Sequence, residues 1–422
     1  MANERKDISE LAQKHRKLQT LMQYVNKETL IEEHRKQISG KASGIDQVTK
    51  EVYESKLSEN IDDLLTRMKR FSYKPQPVRR TYIPKPGSEQ RRPLGIPAYE
   101  DKLVQGCMTY VLNEIYETKF LDNSYGFRPN RNAHMATRAI NQLIMTKRVN
   151  YIIDVDIKGF FDNVNHEWLM TFLKHDIEDK NFLRYVVRFL KSGIMEETTY
   201  HESDKGTPQG GVISPVLANV YLHYVLDLWF KHMKQQFSGE MYLVRYADDF
   251  VILCTYEHEA VKVYEMLKER LAKFNLEISE EKSKIIPFGR FKGDKRDFSF
   301  LGFTYKNGKT RTNKYQVKII TDRKKLKIKK RMAKQWLKEN MHTTFDKLFK
   351  TLNRKLEGHY NYYGVNGNYK SIVLFYEYVK HELYRVLNRR HQKKSMKIVD
   401  FIRIWSHYIN KPRIKVDIWG WA

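Results

Sequence analysis

Apolar and polar positions alternate along this chain with two periods, and the places where one period gives way to the other divide it. From about Ile8 to Ser39 the residues are rich in Leu, Gln, Lys and Glu without a proline, which predicts helix. Gly40-Lys41-Ala42-Ser43-Gly44 then breaks the pattern with two glycines. Glu51 to Phe71 sets Leu57, Ile61, Leu64, Leu65 and Met68 near helical spacing and predicts a second amphipathic helix. Between Tyr73 and Gly87, four prolines among alternating apolar positions predict a hairpin of edge strands, because proline cannot donate within a central ladder. Helical spacing returns from Asp101 to Phe120, and again from His134 toward Lys147 after a polar loop. Along Tyr151 to Ile157 the period is two: Ile152, Asp154 and Asp156 share one face of a strand, and Ile153, Val155 and Ile157 share the other. Asn165 opens a helix. Met241 to Cys254 is apolar on both sides of Asp248-Asp249, which predicts strand, tight turn, strand. His258 to Phe274 is amphipathic, and Leu276 to Ser283 reads as a short strand and turn. Phe298 to Tyr305 predicts a strand closed by a turn at Lys306-Asn307-Gly308-Lys309. From about Thr321 a basic helix begins, followed by three more helical segments to about Tyr408. Three regions result: a helical N-terminal extension over 1–72, a mixed region over 73–315 and a basic helical region over 316–422.

Charge narrows the class of partner. Lys and Arg number 77 against 50 acidic residues, giving a formal charge of +27 and a pI near 9.7, with 13% aromatic residues. A chain this basic is most simply matched by a polyanion, and nucleic acid is the commonest. An anionic membrane surface competes, but no apolar run approaches the roughly 20 residues that span a bilayer. The charged start, Met1-Ala2-Asn3-Glu4-Arg5-Lys6-Asp7, has no signal-peptide core, so a cytoplasmic location is expected. Cys107 and Cys254 each lie in an apolar stretch and are expected as buried free thiols, too few for a zinc module.

Against that background the acidic positions stand out. Asp154 and Asp156 between apolar neighbours are costly unless a cation or a buried Lys or Arg meets them. Asp248 and Asp249 at a turn pose the same problem. Phosphoryl transfer to a 3′-hydroxyl uses two divalent ions roughly 4 Å apart. Asp156, Asp248 and Asp249, converging from separate parts of the chain, fit that requirement. Lys85, Arg91 and Arg92 in the proline-rich hairpin form a phosphate clamp or a solvated basic loop. Arg128 in the loop Ser124 to His134 either bridges elements or contacts nucleic acid. In Gly206-Thr207-Pro208-Gln209-Gly210-Gly211, glycines let the backbone approach a ligand and Gln209 offers a donor and an acceptor. Lys324 and Lys325 in the basic helix, Arg354 beside Tyr360 and Tyr362, and Arg389-Arg390 interleave cations with aromatics, as a surface tracking phosphates requires.

The ordered set Ile83-Pro84-Lys85-Pro86, Leu94-Gly95-Ile96-Pro97, Tyr125-Gly126-Phe127-Arg128-Pro129, Asp154-Val155-Asp156-Ile157-Lys158-Gly159-Phe160-Phe161-Asp162, Thr207-Pro208-Gln209-Gly210-Gly211, Tyr246-Ala247-Asp248-Asp249 and Phe300-Leu301-Gly302-Phe303 resembles the bacterial reverse transcriptases of the group II intron type. The likeness runs from about residue 40 onward, since Asn353 to Gly364 and Leu387 to Lys394 resemble that family's maturase region, its thumb. It implies an α+β right-hand polymerase with fingers, a palm bearing an antiparallel sheet, and a helical thumb. It also implies primer extension on an RNA template with deoxynucleoside triphosphates and two Mg²⁺ ions, Mn²⁺ being able to substitute. Partners implied are an RNA template, a DNA or RNA primer and a structured intron or other non-coding RNA, without a membrane.

Matched residue by residue, Asp156, Asp248 and Asp249 are the metal-binding catalytic aspartates, the Ile157 carbonyl is a further ligand, and Asp154 is structural. Phe161, with Phe160 as the alternative, matches the aromatic gate that crowds a ribose 2′-hydroxyl. Gln209 matches the glutamine on nucleotide and template, Lys85 and Arg92 the triphosphate pair with Arg91 competing, and Lys282 a lysine assisting pyrophosphate departure. Many relatives carry an HNH endonuclease after the thumb; here the sequence holds no cysteine pairs for one, so target cleavage is not expected. Three other roles compete: a splicing maturase whose polymerase activity is secondary, an RNA-directed RNA polymerase, against which Phe161 argues, and a relative adopted for antiphage defence.

Overall fold

The computed structural model describes residues 2–84, 91–197, 199–202, 204–207, 210–292, 296–390 and 396–420. At its centre four antiparallel strands lie in the order Met241–Tyr246, Asp249–Cys254, Tyr151–Val155, Lys284–Pro287. Period-two patterning sorts their side chains as expected. Ile153, Val155, Phe250 and Ile252 join one core with the helices Tyr99–Tyr116 and Ser214–Leu222. Ile152, Val251 and Leu253 face a second core, with Ile140 and Phe300. Ile152, Ile153, Val251, Ile252 and Leu253 have no exposed surface. Burying each such side chain contributes about 1.5–3 kcal/mol, so this sheet is a rigid platform.

A second sheet, in the order Arg91–Ile96, Val78–Pro84, Ile194–Glu196, Thr199–His201, carries the proline-rich hairpin as an antiparallel pair. Its link to Ile194 is parallel, through Val78, which a local reading of the sequence had no means to find. The third sheet is Tyr315–Thr321, Phe303–Lys309, Asp297–Phe300. Here the single strand expected over Phe298 to Tyr305 is instead a hairpin, because Leu301 and Gly302 take φ of 50° and 77° and reverse the chain. Lys306 to Lys309, expected as a turn, lies within the long strand, and the reversal falls between Thr310 and Lys314.

Helices depart from expectation mainly at their ends. The N-terminal stretch is split into Ala2–Lys14, a short turn at Leu21–Tyr24 and Lys27–Lys36, and Glu51 to Phe71 is split into Lys50–Glu54 and Leu57–Lys69. Asn165 does cap a helix, His166–Asp176, its side chain accepting from the Trp168 N–H. After the third sheet come Arg323–Glu339, Phe345–Tyr363, Tyr369–Arg390 and Ile398–Tyr408. Asp322 fixes the first of these, accepting from the Lys325 N–H through one oxygen and from Ser299 and Thr304 through the other. Tyr362 stacks on Phe303 at 5.7 Å, and buried Asn368 bonds to Thr321 and to the Tyr363 carbonyl. Those contacts tie the helical region to the sheet. Among the described residues, no helix is long and apolar enough to cross a membrane.

Candidate active site

Register decides which carboxylates meet. Val155 pairs with Phe250 and Tyr246 with Asp249, so Asp156, one residue beyond the strand, comes up beside Asp249 at the hairpin turn. Asp248 occupies the turn itself. Asp154, Asp156 and Asp248 are half-buried, and Asp249 is exposed as a residue although its carboxyl is not freely solvated. Their electrostatics record the crowding. Burial first, then Asp248 and Asp156, push the Asp249 carboxyl up to about 6, against Lys325 and Arg92. Burial also raises Asp248, with Asp156 adding to the rise and Arg92 and Arg245 opposing it. Asp154 goes up to about 7 through burial, then Asp249 and Asp156. Asp154 is therefore coupled by charge to Asp249 and Asp156.

Asp156 is held from three sides. Its N–H lies 3.2 Å from the Ser283 hydroxyl, its carbonyl accepts from the Ser279 N–H, and its Oδ2 is 3.1 Å from Lys282 Nζ. Among the described residues, no three His, Cys, Asp or Glu side chains are gathered into a ready-made metal cage. The aspartates are coupled through charge without closing on a common centre, and Asp156 turns to the lysine. As donors they suit a hard divalent cation, which takes carboxylate and carbonyl oxygens and would relieve their mutual repulsion. The bridge of Ile157 to Ile278 uses Lys158 N–H and Asp156 O, leaving the Ile157 carbonyl outside that pairing.

Beneath the turn lies a network the sequence reading missed. Arg245 and Asp227, with 0% and 1% of their surface exposed, are paired through Nε to Oδ1 at 2.9 Å and Nη2 to Oδ2 at 2.5 Å. Arg245 Nη1 also donates to Asn219 Oδ1 and to the carbonyl of Ala247, which has a φ of 58°. The signal was present in the sequence as a lone cation within the apolar run Met241 to Tyr246.

Around the carboxylates the other expected residues fall unevenly. Arg92, paired across the hairpin with Ile83, is exposed and is among the charges that lower both Asp248 and Asp249, while Arg91 pairs with Pro84. Lys85 and Gln209 lie outside the described residues. Just before Gln209 in the chain, the Thr207 N–H donates to the Phe161 carbonyl, and Gly206, at φ 83°, would clash there with any Cβ. Phe160 is buried in the core at 2% exposure, while Phe161 is half-buried and edge-on to Phe127.

Lys325 faces Asp249 from the first helix of the basic region, and Lys324, Arg354 and Arg389 are exposed. The Arg390 side chain lies outside the described residues. A cavity of about 730 Å³ between these helices, walled by Lys329, Trp336, Lys355 and His359, reaches Pro84 at the end of the hairpin strand. Of the two roles expected for Arg128, bridging elements or contacting nucleic acid, its surroundings favour the first: it is 6% exposed, bonds Glu117 through two nitrogens at 2.9 Å, and donates to the carbonyls of Leu121 and Ser124. The Arg128 guanidinium is thus taken up by the loop and by Glu117.

Comparison with known proteins agrees with this geometry. Residues 83–305 match the family model described as reverse transcriptase (RNA-dependent DNA polymerase). Over 425 aligned residues the chain is 30% identical to the group II intron-encoded protein LtrA of Lactococcus lactis subsp. cremoris, covering 82% of this chain and 70% of that protein. It is 32% identical over 271 residues to the protein YkfC of Escherichia coli (strain K12), covering 56% and 71% respectively. An uncharacterized 91 kDa protein in a cob intron of Schizosaccharomyces pombe is 38% identical over 178 residues, 42% of this chain and 22% of that one. With carboxylates converging on a β-turn of an antiparallel sheet and sequence likeness across most of its length, the chain belongs to the reverse transcriptases, RNA-directed DNA polymerases, of the group II intron type.

Proposed function

We propose that this protein extends a DNA or RNA primer on an RNA template with deoxynucleoside triphosphates by a two-metal mechanism. The observation that carries the reading is that Asp156 and Asp249 at strand ends and Asp248 in the turn between strands form one electrostatically coupled group, with Arg92 acting on Asp248 and Asp249. These three carboxylates and the Ile157 carbonyl would hold two Mg²⁺ ions, with Mn²⁺ able to substitute. When bound, the ions supply activation of the primer 3′-hydroxyl and neutralisation of the leaving pyrophosphate.

The chain's own residues do the remaining work. Arg92, with Lys85, binds the triphosphate and orients its α-phosphate toward the primer. Lys282, 62% exposed at its side chain and in reach of Asp156, holds a proton for the departing pyrophosphate. Phe161 closes the sugar pocket against a 2′-hydroxyl, its half-buried ring favouring it over buried Phe160 for that task. Gln209 contacts nucleotide and template. Lys324, Lys325, Arg354, Arg389 and Arg390 track the duplex backbone. Residues 1–72 form the N-terminal extension, 73–315 the fingers and palm, and 316–422 the thumb, with Tyr315–Thr321 pairing back onto Phe303–Lys309 at the junction.

A second role, binding a structured intron RNA to promote its splicing, is favoured by one observation: the exposed cations of the thumb extend well beyond the carboxylates. The test of the polymerase reading supplies purified protein with an RNA template, an annealed DNA primer and Mg²⁺, adding deoxynucleotides or ribonucleotides separately. Extension with the former and not the latter is expected; extension with ribonucleotides alone would replace this reading with an RNA polymerase.

A further inference from the structure

Phe127 sits in a conformation that its chemistry disfavours and in a position that nothing so far explains. Its φ is 57°, the left-handed region where a bulky side chain crowds the carbonyl, and its ring is 48% exposed. An exposed aromatic relaxes out of such a conformation unless its neighbours forbid it. Here they do. Upstream, the Arg245 N–H donates to the Asn123 carbonyl and the Tyr125 N–H to the Arg245 carbonyl, so the chain runs as an extra edge beside the aspartate hairpin. Gly126 then lies so close to the turn that an added Cβ would clash with the Ala247 nitrogen, and its carbonyl accepts from Asn219 at 2.8 Å. Downstream, Arg128 is locked to Glu117. Strain held this firmly beside a reactive centre points to a task for the strained side chain.

The ring's partner identifies the task. Phe127 meets Phe161 edge-on, centroids 6.3 Å apart at 74°. Phe161 also meets Phe160, at 5.3 Å and 72°, and Phe160 is buried. Phe161 thus contacts both a fixed core ring and an exposed ring whose backbone is seated on the catalytic turn. Remove Phe127 and the Phe161 ring gains a free side to swing toward.

We propose that Phe127 is a positioning residue for sugar selection: it buttresses Phe161 and holds it where a ribose 2′-hydroxyl would collide. This rests on the reading of Phe161 as the gate, and deepens it by adding a second ring that sets how sharply the gate discriminates. A rigid wall rejects an extra hydroxyl; a wall that can rotate away admits it.

The experiment measures kcat/KM for single insertions of a deoxynucleotide and its ribonucleotide on one primer and RNA template. It compares wild type with Phe127→Ala, Phe127→Gly, Phe127→Tyr, Phe161→Ala and the double Phe127→Ala/Phe161→Ala. Glycine accepts a φ of 57° without strain, so Phe127→Gly guards against misfolding. The deoxy-to-ribo ratio is expected to fall about two- to tenfold in Phe127→Ala and Phe127→Gly, the range that coupling between two aromatic rings sets. The fall should come from a gain in ribonucleotide insertion, Phe127→Tyr should restore the ratio, and the double variant should match Phe161→Ala alone. An unchanged ratio in both Phe127→Ala and Phe127→Gly, with Phe161→Ala relaxed, would overturn the buttress while sparing the gate. A ratio unchanged in Phe161→Ala would overturn both.

Discussion

Removing the carboxylate of Asp227 should cost more stability than any surface change in this protein. Asp227→Leu removes the carboxylate paired with the Arg245 guanidinium, which has 0% of its surface exposed. Breaking a buried pair from one side costs about 3–5 kcal/mol, because the stranded charge cannot reach water. The double variant Asp227→Leu/Arg245→Met removes both charges and should recover part of that loss. Recovery stays incomplete, since Arg245 Nη1 also serves Asn219 and the Ala247 carbonyl. Each group left unpaired costs about 1–3 kcal/mol. Urea unfolding followed by circular dichroism at 25 °C, with wild type, both single variants and the double, gives the coupling directly. The account expects Asp227→Leu to be the least stable of the four, with the double between it and wild type. An Asp227→Leu loss below about 1 kcal/mol, or losses that simply add in the double, would refute the claim that this pair is a dry strut under the catalytic turn.

Two further outcomes follow from charge. His223 is buried, which lowers its pKa to about 4 despite Asp227 and Asp176, with Arg245 and Arg128 also opposing its protonation. The unfolded chain takes up that proton near 6.5 and the folded one only near 4, so stability is full above 6.5 and is lost as pH falls between the two values. The loss is about 3 kcal/mol at one unit per 1.36 kcal/mol, and urea midpoints measured from pH 7 to 4 should fall less steeply in His223→Leu than in wild type. On the thumb, Arg354→Gln and Arg389→Gln should each weaken RNA binding evenly across sequences and reduce the slope of log affinity against log salt by about 1. Slopes equal to wild type would take those residues off the phosphate path.

How far the sequence reveals this site depends on how local the physics is. Asp156, Asp248 and Asp249 were legible because alternation along a strand fixes which side chains share a face, and a turn between two apolar runs can hardly be anything but a hairpin. Asp154 was harder, since its period puts it on the Asp156 face without saying how near the turn comes. Arg245 gave a sign, a cation amid apolar neighbours, but its partner Asp227 lies eighteen positions away on a helix, and only packing joins them. Arg128 was ambiguous because a polar loop suggests exposure; Glu117, at the C-cap of the preceding helix, draws it inward. Leu301 and Gly302 were read through as strand, although glycine beside a large residue is where a chain can reverse. Pairing of Val78 with Ile194 spans more than a hundred residues and has no local signature. Phe127 was visible as a residue in a motif, but its strain and its contact with Phe161 exist only in three dimensions.

If Asp248 belongs to a metal-holding group that performs deoxynucleotide transfer, removing its charge must stop the chemistry and spare RNA binding. Insertion of a single deoxynucleotide on an RNA template is measured for wild type and Asp248→Asn at saturating Mg²⁺, with RNA affinity measured alongside. Asparagine keeps the shape and removes the charge, so the account predicts insertion lower by roughly 10²–10³-fold or more with RNA affinity nearly intact. Insertion near the wild-type rate by a folded Asp248→Asn protein would contradict it.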